Sequence, residues 1–219
     1  MGKVFVAGCS VSDYMEVDRV YGELLAKKLG YEYVHEGAKC GSNWRIWRVI
    51  TNHIMSGNLT PEDLLIVQYT SFERREFWTR NQRPQPLLDI QVRERYNVND
   101  GDIIRFKTNA FTWQDFSEEK KFFRQYEYSF LNEDFETEIF HTQNLMFQCL
   151  LKEYQIPTIF FGFYHHQFNI RRIPYYENSF FETDEIRHDP KYLLADGGHL
   201  NEKGHIYVAD KLYNFIQPK

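Results

Sequence analysis

A chain of 219 residues is long for one small domain and short for two, which points to one α/β domain with an insertion and a substantial core. A formal charge of −5 argues against a general nucleic-acid binder, and no apolar run reaches the ~18 residues of a membrane-spanning helix. Aromatics are 17% of the residues, so rings supply much of the apolar burial and some of them line a groove.

The run Lys3-Val4-Phe5-Val6-Ala7 reads as a first buried strand, over residues 3–9, interrupted by Gly8-Cys9-Ser10. It is too short, and lacks the basic flank, to be a secretory signal. Residues 17–29 put Val20, Leu24 and Leu25 on one helical face and stop at Gly30, a capping glycine. A second strand over 31–35 leads into Gly37-Ala38-Lys39-Cys40-Gly41-Ser42-Asn43. The helix after it carries Ile46, Val49, Ile50, His53 and Ile54 and closes at Gly57. The third strand, 64–69, is apolar enough to be central.

Residues 79–102, with Pro84 and Pro86, read as an irregular insertion, and 116–131 as a short aromatic helix. A stronger helix spans 134–154, with Phe135, Ile139, Met146 and Leu150 near four-residue spacing. Pro157 opens a fourth strand, 158–163. The polar, tyrosine-rich stretch 164–195 has the length of a functional loop. The last helix, 201–216, aligns Ile206, Ala209, Leu212 and Ile216. The expected organisation is a single domain over 1–219 with an insertion at about 79–135.

Alternating strands and helices imply a parallel sheet covered on both faces, because parallel strands need crossover connections. Ligands bind such sheets outside the carboxyl ends of the strands. Ser10, Gly41, Thr70 and His165 each follow a predicted strand and so fall on one rim.

The chemistry-bearing residues sit at the two ends of the chain. Asp196-Gly197-Gly198-His199 sets a carboxylate and an imidazole three positions apart, before the last helix. With Ser10 they make a nucleophile, base and orienter set, since a serine hydroxyl is a poor nucleophile until a neighbouring base takes its proton. The bland readings are a turn serine at Ser10, a loop glycine at Gly41 and a surface histidine at His199. His165-His166 with His188 and Asp189 suggests a metal site, but adjacent strand histidines point to opposite faces, so no metal is expected. Arg74-Arg75 and Arg171-Arg172 suit an anionic substrate or plain solvation. Trp44, Trp47, Phe72, Phe77 and Trp78 lie near the rim. Cys9, Cys40 and Cys149 lack CxxC spacing, which fits a reducing compartment and makes cytoplasmic the expected address.

Gly8-Cys9-Ser10, the glycine–Asn turn at 41–43 and Asp196-x-x-His199, in that order along an α/β pattern, resemble the SGNH or GDSL-like hydrolases. The resemblance implies a flavodoxin-like three-layer α/β/α sandwich with a central parallel sheet and an exposed serine site. Carried over, Ser10 is the nucleophile, His199 the base and then acid, and Asp196 the group that fixes the imidazole. The family's oxyanion site joins the amides of the serine and of the second-motif glycine, here Ser10 and Gly41, to an Asn after the third strand. Here Gln68-Tyr69-Thr70-Ser71 stands where the family shows Gly-x-Asn-Asp, so Thr70 occupies the Asn position and Asn43 is the alternative donor. Cys9 likewise replaces the family's Asp. The absence of G-x-S-x-G argues against the larger α/β-hydrolase class.

The expected activity is cofactor-free hydrolysis of a carboxylic ester, such as O-acetyl on a carbohydrate, through an acyl-enzyme. Trp44, Phe72, Arg74 and His165 are the expected substrate contacts. The partner is a small-molecule or carbohydrate ester rather than nucleic acid. Three other readings compete: an acyltransferase with the same triad, a catalytically silent scaffold for carbohydrate or protein, and a nucleotide- or flavin-binding module using residues 8–12 as a phosphate loop. The last leaves Asp196 and His199 without a role.

Overall fold

The computed structural model describes residues 2–14, 17–38, 41–70, 74–78, 103–107, 133–162, 180–181, 186, 188–195 and 198–217, with backbone alone at 74–78, 103–107, 133–136 and 180–181. The predicted aromatic helix at 116–131 lies outside these residues, as do Phe72, His165 and Asp196.

Strand β1 (Lys3–Gly8) lies at the heart of a parallel sheet, paired with β2 (Glu32–Gly37) on one side and β3 (Leu64–Tyr69) on the other. Beyond β3 come β6 (Thr158–Gly162) and a two-residue β7 (Phe180–Phe181), so the order is β2-β1-β3-β6-β7. The β1 sequence suits this place because period-two alternation sends apolar side chains to both faces. Val4 and Val6 enter one layer with Leu25 of α1 (Tyr21–Leu29) and Val208 of α4 (Glu202–Ile216). Phe5 and Ala7 enter the other, with Ile46 and Ile50 of α2 (Asn43–Met55) and Phe147 of α3 (Glu133–Glu153). Each fully buried Val, Leu, Ile or Phe contributes about 1.5–3 kcal/mol. The two layers around one sheet make the three-layer α/β/α sandwich.

Two differences from the predicted elements have local causes. The first helix starts at Tyr21 rather than residue 17, because Val20 is extended (φ −101°, ψ 158°). The second strand runs on to Gly37, because pairing with β1 continues to Gly8↔Gly37. A further element is absent from the predicted pattern: β4 (Arg74–Trp78) and β5 (Ile103–Lys107) form a separate antiparallel ribbon, β5 lying within the stretch expected to be an insertion and β4 just before it.

Crossing from β2 over β1 to β3 reverses the direction of strand order at the β1/β3 boundary. In such sheets the crevice at the carboxyl end of that boundary receives ligands. Ser10 follows β1 and Thr70 follows β3, so both stand at it.

Candidate active site

Ser10 is placed by the way β1 ends. Cys9 remains extended (φ −98°, ψ −158°) and residues Ser10–Ser12 form a single 3-10 turn, closed by Ser12 N–H to Cys9 O at 2.9 Å. The turn is tied to three elements. Gln68 Oε1 of β3 accepts from Cys9 N–H at 3.1 Å and from Ser12 Oγ at 2.9 Å. The Tyr21 hydroxyl of α1 lies 2.6 Å from Ser12 Oγ, and burial pushes that phenol's pKa up, keeping it a donor. At the exit, His35 of β2 bridges Asp13 Oδ1 (3.1 Å) and the Tyr33 hydroxyl (2.9 Å). Ser10 itself is only 6% exposed.

His199 comes from the other end of the chain, on a loop pinned to the start of α4. Leu193 and Leu200 form an antiparallel bridge, and Leu194 N–H donates to His199 O at 2.8 Å. Asn201 caps α4, its Oδ1 accepting from Gly204 N–H at 3.0 Å. Its Nδ2 donates to the carbonyls of Lys191 (3.0 Å) and Leu193 (2.9 Å). Gly204 must lack a side chain for this, since a Cβ there would stand 2.3 Å from Tyr192 O. The outcome is a contact across 189 positions of sequence: His199 Nε2 lies 2.9 Å from Ser10 Oγ. An imidazole nitrogen at that distance can accept the hydroxyl proton, provided the ring carries its own proton on Nδ1. Asp196, predicted to fix that tautomer, falls among the residues not described.

Of the other predicted residues, Gly41, Asn43 and Thr70 lie at the ends of β1 and β3. The Ser10 amide has no acceptor among the described residues. Gly41 packs against the end of β1, where a Cβ would stand 3.0 Å from Gly8 O; its own N–H donates to Ala38 O at 2.9 Å. Thr70 is fully buried and its Oγ1 has no hydrogen-bond partner among the described residues. Asn43, in the first turn of α2, spans the Thr70 backbone, with Nδ2 donating to Thr70 O at 2.8 Å and Oδ1 accepting Thr70 N–H at 2.9 Å. Its carboxamide therefore clamps the strand end, and the second Nδ2 hydrogen is the one left for the oxyanion role expected of Asn43.

Trp44, at 44% exposure, opens α2 beside Asn43. Arg74 is placed by backbone alone, at the start of β4; its substrate role, like those of Phe72 and His165, falls on side chains that are not described. Of the residues raised as a metal site, His188 is exposed and Asp189 caps the 3-10 turn at Pro190–Tyr192, accepting Lys191 N–H at 2.9 Å. Cys9 is buried and Cys149 exposed, both free thiols. No helix among the described residues is long and apolar enough to cross a membrane.

Sequence reasoning missed two residues. Gln68 carries no local motif that marks it, although a polar side chain in a central strand must find hydrogen bonds. His205 is buried between α4 and α1, its Nδ1 accepting Tyr21 N–H at 3.1 Å, and burial lowers its pKa to about 4.

No family model matches the chain, and no curated protein does. In structure it is similar to the psychrotrophic esterase EstA from Pseudoalteromonas sp., solved with monoethylphosphonate as inhibitor. The TM-score is 0.53, over 99% of this chain and 97% of that one, at 9% identity. At that identity the likeness is one of fold, and it covers both proteins almost from end to end.

Proposed function

We propose that the protein is a serine ester hydrolase of the SGNH type. Ser10 attacks an acyl carbonyl, His199 takes its proton and returns it to the leaving alcohol, and water then clears the acyl-enzyme. Asp196 is assigned to the far side of the imidazole. The observation that carries the reading is the 2.9 Å approach of His199 Nε2 to Ser10 Oγ, at the switch point of the sheet. Turn serines have no need of such a partner from the opposite end of the chain.

For the oxyanion the best-placed groups are the Ser10 amide and the Thr70 hydroxyl, both without partners among the described residues. Asn43 serves by holding Thr70 in place. Gly41 joins them when its amide is shared with or released from Ala38. The substrate class we assign is a small acyl ester, such as acetyl on a sugar, with Trp44 as the stacking surface; Phe72, Arg74 and His165 are the further contacts. Transfer of the acyl group to another alcohol uses the same residues. A cytoplasmic address agrees with free thiols at Cys9 and Cys149.

One observation favours a second reading, a catalytically silent scaffold: the Gly41 N–H is already bonded to Ala38 O. Labelling by a fluorophosphonate probe separates the two. Covalent modification of the native protein, lost in Ser10→Ala, supports the hydrolase. A folded protein that neither labels nor hydrolyses p-nitrophenyl acetate is the scaffold.

A further inference from the structure

We propose that Gln68 is the positioning residue of the turn that carries Ser10, an inference that rests on Ser10 being the nucleophile. Its carboxamide has no solvent exposure and sits in a strand whose neighbours Ile66, Val67 and Tyr69 belong to the core. Oε1 gathers three donors: Cys9 N–H at 3.1 Å, Cys9 Sγ–H at 3.3 Å and Ser12 Oγ–H at 2.9 Å. Nε2 donates to the carbonyl oxygen of Tyr69 at 2.5 Å. One oxygen thus holds the residues on both sides of Ser10, from 59 positions away in sequence.

The pattern selects an amide. Donors converge on one end and a carbonyl faces the other, which also assigns oxygen and nitrogen. An ionised carboxylate there would set an oxygen against the Tyr69 carbonyl and bury an uncompensated charge. A second, independent feature is Gly8. A Cβ at that position would stand 2.3 Å from Ser12 Oγ and 2.7 Å from Gln68 Oε1, so the strand ends in glycine to let the side chains meet. Gln68 also binds the strand end bearing Thr70 to the turn bearing Ser10. It therefore fixes the distance between the nucleophile and the Thr70 hydroxyl without touching substrate. Displacing reacting groups by about 1 Å costs on the order of a hundredfold in rate.

Gln68→Met keeps the length and removes the acceptor. In the folded full chain, kcat on p-nitrophenyl acetate should fall between about tenfold and a hundredfold, with KM held within about twofold. Gln68→Glu reproduces the bonds only as the neutral acid, whose C=O accepts and whose O–H donates to Tyr69. Its rate should approach that of the native protein at the acid end of the profile and decline as pH rises, a limb the native protein lacks. Unchanged kcat in folded Gln68→Met overturns the proposal. If that variant does not fold, Ser12→Ala, which removes one donor, takes its place with a smaller expected drop, and unchanged kcat there overturns it equally. If the native protein neither labels nor hydrolyses, the ester-hydrolase reading has failed on its own. The positioning role is then read from Cys9 in a Cys40→Ser/Cys149→Ser background. Its thiol should react with an aromatic disulfide reagent about tenfold faster in Gln68→Met, through local opening of the turn, and equal rates overturn the proposal.

Discussion

The two regions that meet at the Ser10–His199 contact are held by opposite means. The turn after β1 is gripped from inside by Gln68 of β3 and Tyr21 of α1, with half-buried His35 of β2 at its exit. Among the described residues, the loop before α4 is held by backbone bonds at Leu194 and Asn201, by the Asn201 side chain and by the burial of Leu200 at its end. Buried hydrogen bonds among core elements break only with the core, whereas a pinned loop can shift locally. Changes to the Ser10 turn should therefore appear in global stability. Changes to the histidine loop should appear in rate while the fold holds.

The largest effect treats the regions as one machine. Ser10→Ala or His199→Ala should each lower ester hydrolysis by about four powers of ten, and the double variant should be no slower than either. Steady-state rates at equal melting temperature check this. A double variant far below both singles would mean that the two regions act separately.

Thr70→Val comes next, and it tests a third point of the rim. The hydroxyl has no partner among the described residues, so removing it leaves no described polar group newly unsatisfied, and the melting temperature should hold or rise. If Thr70 binds the oxyanion, kcat should fall by about 3 kcal/mol in barrier with KM little changed. A stable variant with native kcat removes Thr70 from the site.

His205 lies where the two regions join, since Tyr21 gives its N–H to His205 and its hydroxyl to Ser12. Burial lowers the folded pKa of His205 to about 4 from 6.5, so the unfolded chain binds the extra proton between those values. Stability is then intact above pH about 6.5, falls as the pH drops toward 4, and levels off below. The shift is worth about 3 kcal/mol at most. Urea midpoints across this range should fall less steeply in His205→Gln than in the native protein; parallel curves would mean that His205 is not the group responsible.

How much of this was legible in the sequence follows from which forces act locally. The third strand matches its predicted bounds, Leu64–Tyr69, because a continuous apolar run between polar turns has one way to be buried. The final helix matches apart from its cap, because Asn201 is both its first polar residue and its N-cap. Strand ends alone sent Ser10, Gly41, Thr70 and His165 to one rim; the first three lie at the ends of β1 and β3, and His165 falls outside the described residues. What register decides was not legible. The Gln68–Cys9 and Asn43–Thr70 bonds join residues 59 and 27 positions apart, and nothing in either local pattern marks the partner. The β4–β5 ribbon was hidden by the same limit, its strands being separated by 24 residues without clear periodicity.

The smallest effect is also the sharpest test of the contrast. Asn201→Ala removes the cap of α4 at a cost of about 1 kcal/mol, and with it both bonds from Nδ2 to the carbonyls of Lys191 and Leu193. Asn201→Asp keeps an oxygen for Gly204 N–H, so it retains the cap, but it has no hydrogen to give those carbonyls. If the histidine loop is positioned locally, the Asp variant should recover the stability lost in the Ala variant and still hydrolyse about tenfold more slowly than the native protein. Thermal midpoints and kcat measured together separate the two contributions. An Asp variant with native rate would show that the carbonyls at 191 and 193 do nothing for His199. The imidazole would then owe its place to the core, as the serine does.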